Sequence, residues 1–325
     1  MNREISIDYL RVISCILVII IHLTSDDFTE ESFDQESFLF SNILNSLSRC
    51  AVPLFVMISG RYLIGAKPNF TEFYSKRLNK ILIPFLFWTI FYSSLTFLLF
   101  TLFHNKSGFE IVINKLVLGK PFYHLWYLFM LPGLYFLTPF INYYFSQIEQ
   151  NKTSYVRIGG AFLLFAMIHS FYRFYYDEEL FFPLWCFDYL GYFIMGFALK
   201  NIKPINVYLL IGLFVFSSVV LIYSNYYTLR HFNHFYFIGY NSPLVIISTL
   251  SLYKIFNQVK LKSSFFSSLS SYSFGIFLVH PIFIIIFDRV PIIRDFISLK
   301  LVFVFLCSLL LTYCFSRIKI LRQVI

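Results

Sequence analysis

Runs of Leu, Ile, Val, Phe and Tyr, broken at short intervals by polar clusters, extend from one end of this 325-residue chain to the other. A helix needs about 20 mostly apolar residues to cross the hydrocarbon layer of a bilayer. By that measure the pattern predicts spans near residues 5–23, 43–65, 81–103, 125–146, 156–173, 183–199, 205–224, 235–253, 270–287 and 297–316. The span at 156–173 holds His169 and ends in polar aromatics, so its pattern is the least apolar-only of the set. The first run continues straight from Met1, with Asp8 and Arg11 near its start and no small-residue cleavage site, and reads as a retained helix rather than a signal peptide. No linker, composition shift or internal repeat marks off a second domain. The expected fold is all-α: a single polytopic membrane domain over residues 1–325, with about ten transmembrane helices and no additional soluble domain.

Composition agrees with immersion in lipid. Hydrophobic residues make up 58% of the chain and charged ones 13%, and the mean hydropathy is +0.71. A soluble domain has about half its residues apolar and about a quarter charged. The 44 Phe and 24 Tyr suit lipid-facing and interfacial positions. The base composition of a genome can also inflate these residue types, so they are not evidence of a binding site. The five cysteines, Cys15, Cys50, Cys186, Cys307 and Cys314, all fall in apolar stretches with no metal-ligand spacing, and read as small buried hydrophobes.

The formal charge of +9 does not point to nucleic acid, because the basic residues lie in short loops between apolar runs. Cytoplasmic loops collect Lys and Arg. With the N-terminus inside, the inner loops and tails hold 15 Lys and Arg and the outer loops 8, and the first outer loop carries six acids and no base. An even number of spans puts both termini in the cytoplasm. This topology also sends all seven histidines (His22, His104, His124, His169, His231, His234 and His280) toward the outer side.

Ionisable groups inside a membrane are expensive and point to function. The first helix carries Asp8, Arg11 and His22 in SIDYLRVISCILVIIIHLT. Eleven residues separate Arg11 from His22, about three full turns and about 16 Å of rise, so the two share one face. Asp8 lies one turn before Arg11 and can pair with it. The plainer alternative has Asp8 and Arg11 snorkelling at the inner interface and His22 capping the outer end. Histidine is the side chain best suited to general-base work near neutral pH.

Five motifs follow in order: Arg11-x10-His22; SRCAVPLFVMISG (Ser48–Gly60); KRLNKILIPFLFW (Lys76–Trp88); HLWYL (His124–Leu128); and SYSFGIFLVHP (Ser271–Pro281). Together they resemble the membrane acyltransferase-3 family, bacterial integral membrane proteins that O-acylate surface glycans and related acceptors. The resemblance runs from Asp8 to at least Pro281. It implies that His22 is the essential histidine and Arg11 its partner. It also implies a donor acyl group, acetyl or another, from a cytoplasmic coenzyme A thioester. A pantetheine arm is long enough to span the roughly 16 Å between Arg11 and His22. His22 either deprotonates an acceptor hydroxyl for direct attack on the thioester or is acylated first and passes the group on.

Coenzyme A phosphates need cations. Lys76, Arg77 and Lys80 cluster at the cytoplasmic start of the third span, with Arg61 at the inner end of the second. Ordinary positive-inside charge accounts for the same residues, and Arg61 stands where similar sequences often carry an apolar or aromatic residue. Arg49, within the second span near its outer side, needs an acceptor there. Asp188, in WCFDYLGYF, is placed to pair with Arg49 or to orient His22. His280 precedes Pro281, which frees a backbone carbonyl; it binds acceptor, shapes the channel or makes a structural hydrogen bond. His124 and Trp126 form either an outer platform for a sugar acceptor or a plain aromatic belt. No His pair with an acid suggests a metal, and no GxGxxG, Walker or nucleophile-elbow motif is present. Some relatives in that family carry a C-terminal esterase-like domain; this chain ends after its last helix, so such a partner is expected as a separate protein.

The expected activity is O-acyl transfer, of acetyl above all, from acyl-CoA to a hydroxyl of a surface polysaccharide or lipid-linked glycan at the bacterial cytoplasmic membrane. No permanently bound cofactor is expected; the expected partners are the bilayer, the thioester, the glycan and other polysaccharide-biosynthesis proteins. A glycan transporter or flippase is the alternative, and a scaffold subunit a weaker third.

Overall fold

The computed structural model describes residues 4–25, 28, 36–65, 70–103, 107–148, 152–232 and 236–325. His104, His234 and the side chain of Lys76 lie outside the described residues. The chain order is α1 (Ile5–Thr24), α2 (Glu36–Ser48), α3 (Ala51–Leu63), α4 (Phe70–Phe103), α5 (Gly108–Val117), α6 (Trp126–Gln147) and α7 (Lys152–Tyr176). After these come α8 (Trp185–Ala198), α9 (Val207–Phe232), α10 (Pro243–Gln258), α11 (Ser264–Ser270), α12 (Ser273–Phe287), α13 (Pro291–Arg294) and α14 (Ile297–Arg317). No strand occurs among the described residues.

Among those residues, seven helical stretches are long and apolar enough to cross a membrane, with α2 and α3 forming one of them. The pair α11 and α12, bent by 63° at a short break, makes an eighth if it is one span. Helices also occupy the other two predicted positions. In α6 two prolines, Asn142 and several tyrosines dilute the hydropathy, and α10 has only 16 residues. The chain is therefore a multi-pass, all-helical membrane protein.

Helix ends depart from the hydropathy pattern for local reasons. α4 has 34 residues and begins at Phe70, not 81, because Glu, Lys and Arg are good helix formers that a hydropathy pattern does not register. α10 begins at Pro243 rather than 235, where Ser242 caps the helix by accepting from the Val245 N–H and proline fills the first turn. α5 and α13 occupy segments expected to be loops.

The contacts gather into two compact units, each built from several chain segments: Met1–Leu63, Asn151–Asp177 and Asp188–Tyr313 in the first, and Ile64–Gln150, Glu178–Phe187 and Cys314–Ile325 in the second. In the first, α1 is the hub, packed against α2, α3, α10, α11 and α12. Cys15, Ile19 and Leu23 recur every four residues and so line one face of α1. That face meets Ile276 and Ile284 of α12 and Val304 of α14.

Two reciprocal glycine contacts join α3 to α8. Gly60 rests on the carbonyl of Phe193, and Gly196 rests on the carbonyl of Met57. Neither position has room for a Cβ. Small residues let membrane helices approach backbone to backbone, where dispersion and polar contacts replace the hydrophobic drive that lipid cannot supply. α2 and α9 are joined by polar side chains instead: Asn225 donates to Asn42 and Ser46, and Asn42 donates to the Ile222 carbonyl at 2.9 Å.

The second unit is arranged along α4, which packs against α5, α6 and a 3-10 turn at Leu321–Val324. The buried Trp88 donates from Nε1 to the Val324 carbonyl at 2.7 Å, tying that turn to α4. Lys120 pairs with Glu179 at 2.8 Å and lies over the ring of Trp185.

Candidate active site

The N-terminal end of α1 holds a buried carboxylate. Asp8 is 1% exposed and accepts hydrogen bonds from Ser267 Oγ at 2.9 Å and Ser270 Oγ at 2.8 Å, both on α11. Arg11 lies one turn on, 3.8 Å from Asp8, with its guanidinium over the ring of Tyr62. The pairing anticipated from spacing is thus present. Asp8 does not snorkel; it is satisfied inside the protein, as a buried charge must be.

Three turns later His22 reaches the other end of α1. Its half-buried imidazole stacks on that of His280 from α12, with ring centroids 5.3 Å apart and planes inclined by 22°. His280 is fully buried, and its Nδ1 lies 3.2 Å from the Ile276 carbonyl. A carbonyl only accepts, so Nδ1 carries the hydrogen and the lone pair of the neutral ring sits on Nε2. Pro281 has no N–H to offer the Phe277 carbonyl four residues back, and the His280 ring also bonds there. The free carbonyl anticipated from the HP dipeptide therefore fixes a tautomer.

Arg49 approaches His22 from the break between α2 and α3. Pro53 causes that break, because its ring clashes with the carbonyl four residues earlier, which is that of Arg49. Arg49 and Cys50 form a turn, and the helix resumes at Ala51. The acceptor that Arg49 requires is Asn45, whose Oδ1 takes a hydrogen bond from Arg49 Nε at 2.6 Å. The Asn45 amide donates in turn to Thr24 Oγ1 at 2.8 Å and to the Ile21 carbonyl at 3.4 Å. Those two residues flank His22 on α1. A second support comes from Tyr240, in the turn before α10, which hydrogen-bonds Arg49 and presents its ring 5.9 Å from the guanidinium carbon. Tyr240 is itself held by Tyr192, whose hydroxyl donates to the Tyr240 carbonyl at 2.6 Å. Arg49 and His280 both lie within electrostatic reach of His22.

Asp188 requires a correction. It pairs with neither Arg49 nor His22. Its carboxylate lies 2.7 Å from His169 Nδ1 and 3.0 Å from Arg173, both on α7. His169 and Arg173 stand four apart and so share a face of α7. The short connection from α7 to α8 brings that face to Asp188.

The remaining candidates are dispersed. Arg61 is buried between Glu4, which accepts a charge-assisted bond, and the Tyr253 hydroxyl, 3.1 Å away. Lys200 also reaches Glu4 at 3.4 Å. A carboxylate thus already occupies the guanidinium. Burial alone raises the Glu4 pKa, but Arg61 and Lys200 outweigh it and hold the carboxyl below its ordinary value. In the second unit, Arg77 is half-buried and Lys80 exposed on α4. His124 is 1% exposed and boxed by the rings of Tyr92, Phe122 and Tyr123. Trp126 packs edge-on against Trp185.

A family model described as an acyltransferase domain matches residues 4–317, nearly the whole chain. The chain belongs to the acyltransferase-3 family. No curated protein and no solved structure matches it. The acyltransferase-3 match takes in α1 with its Arg11 and His22, the α2–α3 break and the His280–Pro281 motif. Together with the apolar helices it makes this a membrane protein of acyltransferase type. Sequence reasoning missed Asn45, Tyr240 and the His169–Arg173 pair. The histidine and arginine four apart on α7 were a usable signal for Asp188; the apposition of Tyr240 to Arg49 had none.

Proposed function

We propose that this acyltransferase-3 protein is an O-acyltransferase of the bacterial cytoplasmic membrane, with ten spans and both termini inside. It takes an acyl group, acetyl in the first instance, from acyl-CoA and places it on a hydroxyl of a surface polysaccharide or its lipid-linked precursor. One observation carries the reading: a half-buried imidazole, His22, sits at one end of a helix whose other end, about 16 Å away, holds the Asp8–Arg11 pair. The half-buried ring is stacked on His280, which keeps it in place.

Two routes use the same imidazole. In the direct route His22 removes the proton of the acceptor hydroxyl as its oxygen attacks the thioester carbon, a general-base contribution of about 10²–10⁴-fold. In the relay route the imidazole takes the acyl group and then yields it to the acceptor. Arg77 and Lys80 are assigned to the phosphates of the donor on the strength of the family pattern. Arg61, already neutralised by Glu4, suits a structural role better.

The test is transfer of label from radiolabelled acetyl-CoA by the purified, reconstituted protein, with His22→Ala and Arg11→Ala alongside. The expected result is coenzyme A release and labelled acceptor in the wild type, and loss of both in His22→Ala at unchanged thermal stability. Label retained on the protein identifies the relay. No turnover with any envelope acceptor, together with glycan movement across vesicles that survives His22→Ala, refutes the reading and makes the protein a transporter.

A further inference from the structure

Arg49 lies within a membrane span, where a cation is costly and calls for a reason. The side chain is only half-buried, so it is not a core packing element. Its supports are unusually complete. Asn45 holds Nε from one side, Tyr240 bonds the guanidinium from another, and both supports are themselves anchored, Asn45 on α1 through Thr24 and Ile21, Tyr240 on α8 through Tyr192. A guanidinium has five N–H donors, and two bonds among the described residues do not exhaust them. The group is thus held rigidly beside His22 with donors to spare. Aiming fixed donors at a point where charge develops is how enzymes stabilise an oxyanion without reorganising during the reaction.

We propose that Arg49, braced by Asn45 and Tyr240 beside His22, is a catalytic residue that holds the carbonyl oxygen of the transferring acyl group. The inference rests on the acyl-transfer reading above. In the direct route the acceptor oxygen donates a lone pair to the thioester carbon while His22 takes the hydroxyl proton. The C=O pair then moves onto oxygen, which becomes negative against the guanidinium. Collapse restores the C=O bond and expels the thiolate, which takes the proton back from His22. The products are one ester and one thiol, and no redox partner is needed. In the relay route each of the two steps forms the same oxyanion, so Arg49 serves both. Tyr240 and Asn45 are positioning residues, acting through Arg49.

The experiment is steady-state turnover of acetyl-CoA by the reconstituted full chain, wild type beside Arg49→Gln, Arg49→Lys, Arg49→Ala, Tyr240→Phe and Asn45→Leu. Thermal stability is read in parallel. Arg49→Gln is expected to lower kcat about 10²–10³-fold with little change in KM, the loss typical of one missing oxyanion donor. Arg49→Lys keeps the charge without the fork and falls between. Added guanidinium restores part of the Arg49→Ala turnover, which it would not do for a merely structural arginine. Tyr240→Phe and Asn45→Leu lower kcat by less than Arg49→Gln. If the wild type turns over and His22→Ala does not, while Arg49→Gln keeps most of its kcat or loses only KM, the proposal is wrong and the acyl-transfer reading stands. If the wild type itself transfers no acyl group, both fall.

Discussion

A methyl group added at Gly196 or Gly60 should have the opposite effect to the same group added at Gly160 or Gly212. All four glycines are helical. In a helix, Ala is better than Gly by about 1 kcal/mol. At Gly160 and Gly212 a new Cβ meets nothing within 4 Å, so that gain stands. At Gly196 a Cβ would fall 2.6 Å from the Met57 carbonyl carbon and 2.7 Å from its Cα. At Gly60 it would fall 2.6 Å from the Phe193 carbonyl carbon and 3.0 Å from its Cα. Carbon atoms pack best about 3.5–4.0 Å apart, so α3 and α8 must separate by about 1 Å. Overpacking costs about 1–3 kcal/mol, more where backbone must move. With the cost at the upper end of that range and the propensity gain subtracted, each substitution should destabilise by about 2 kcal/mol, roughly thirtyfold in the unfolding equilibrium.

One separation relieves both clashes, so the Gly60→Ala/Gly196→Ala double variant should cost well under the sum of the singles. Equilibrium unfolding in mixed micelles of rising dodecyl sulfate fraction, followed by circular dichroism, measures all of this. Thiol labelling of Cys50, which is 1% exposed, reports loosening within the first unit. A neutral Gly196→Ala, or a Gly212→Ala as damaging as Gly196→Ala, would refute the reasoning about the crossing.

The carboxyl of Glu4 titrates below its ordinary value in the folded state. The folded state is therefore favoured above the unfolded-state pKa near 4.5, and that contribution disappears as pH falls through the folded value. Glu4→Gln should flatten the acid limb of a stability–pH profile, by at most about 1 kcal/mol given the exposure of the group; an unaltered limb would contradict the pairing with Arg61 and Lys200. Trp88→Phe removes the donor to the Val324 carbonyl, at a cost of about 1 kcal/mol. Faster proteolysis of the C-terminal turn checks this, and unchanged protection would show that the turn is held otherwise.

What the sequence disclosed was what one helix fixes by itself. Arg11 and His22 share a face because eleven residues of α-helix admit no other arrangement, and Asp8 meets Arg11 for the same reason. Helix existence was legible wherever apolar residues ran long enough, but helix ends were not. Hydropathy cannot see the polar turns of α4 from Phe70 to Lys80, nor the Ser242 cap that starts α10. Partners across the fold were the least legible. Asp188 finds His169 and Arg173 because only a short connection separates α7 from α8, whereas Arg49 finds Tyr240 from a distant part of the chain. Arg61 looked like a phosphate ligand by its position; Glu4, close to the start of the chain, had already claimed it.

The length of α4 has a kinetic consequence. Its 34 residues rise about 50 Å, against a hydrocarbon thickness of about 30 Å, so the helix tilts strongly or projects beyond the lipid. Arg77 and Lys80 lie on its first turns, carried on regular helix and not on a flexible loop. Fixed cations at a membrane surface draw anions from solution before contact, and such steering weakens as ionic strength rises. If the donor is an acyl-CoA, as proposed above, its bimolecular capture should therefore slow with added salt, while turnover of donor already captured should not.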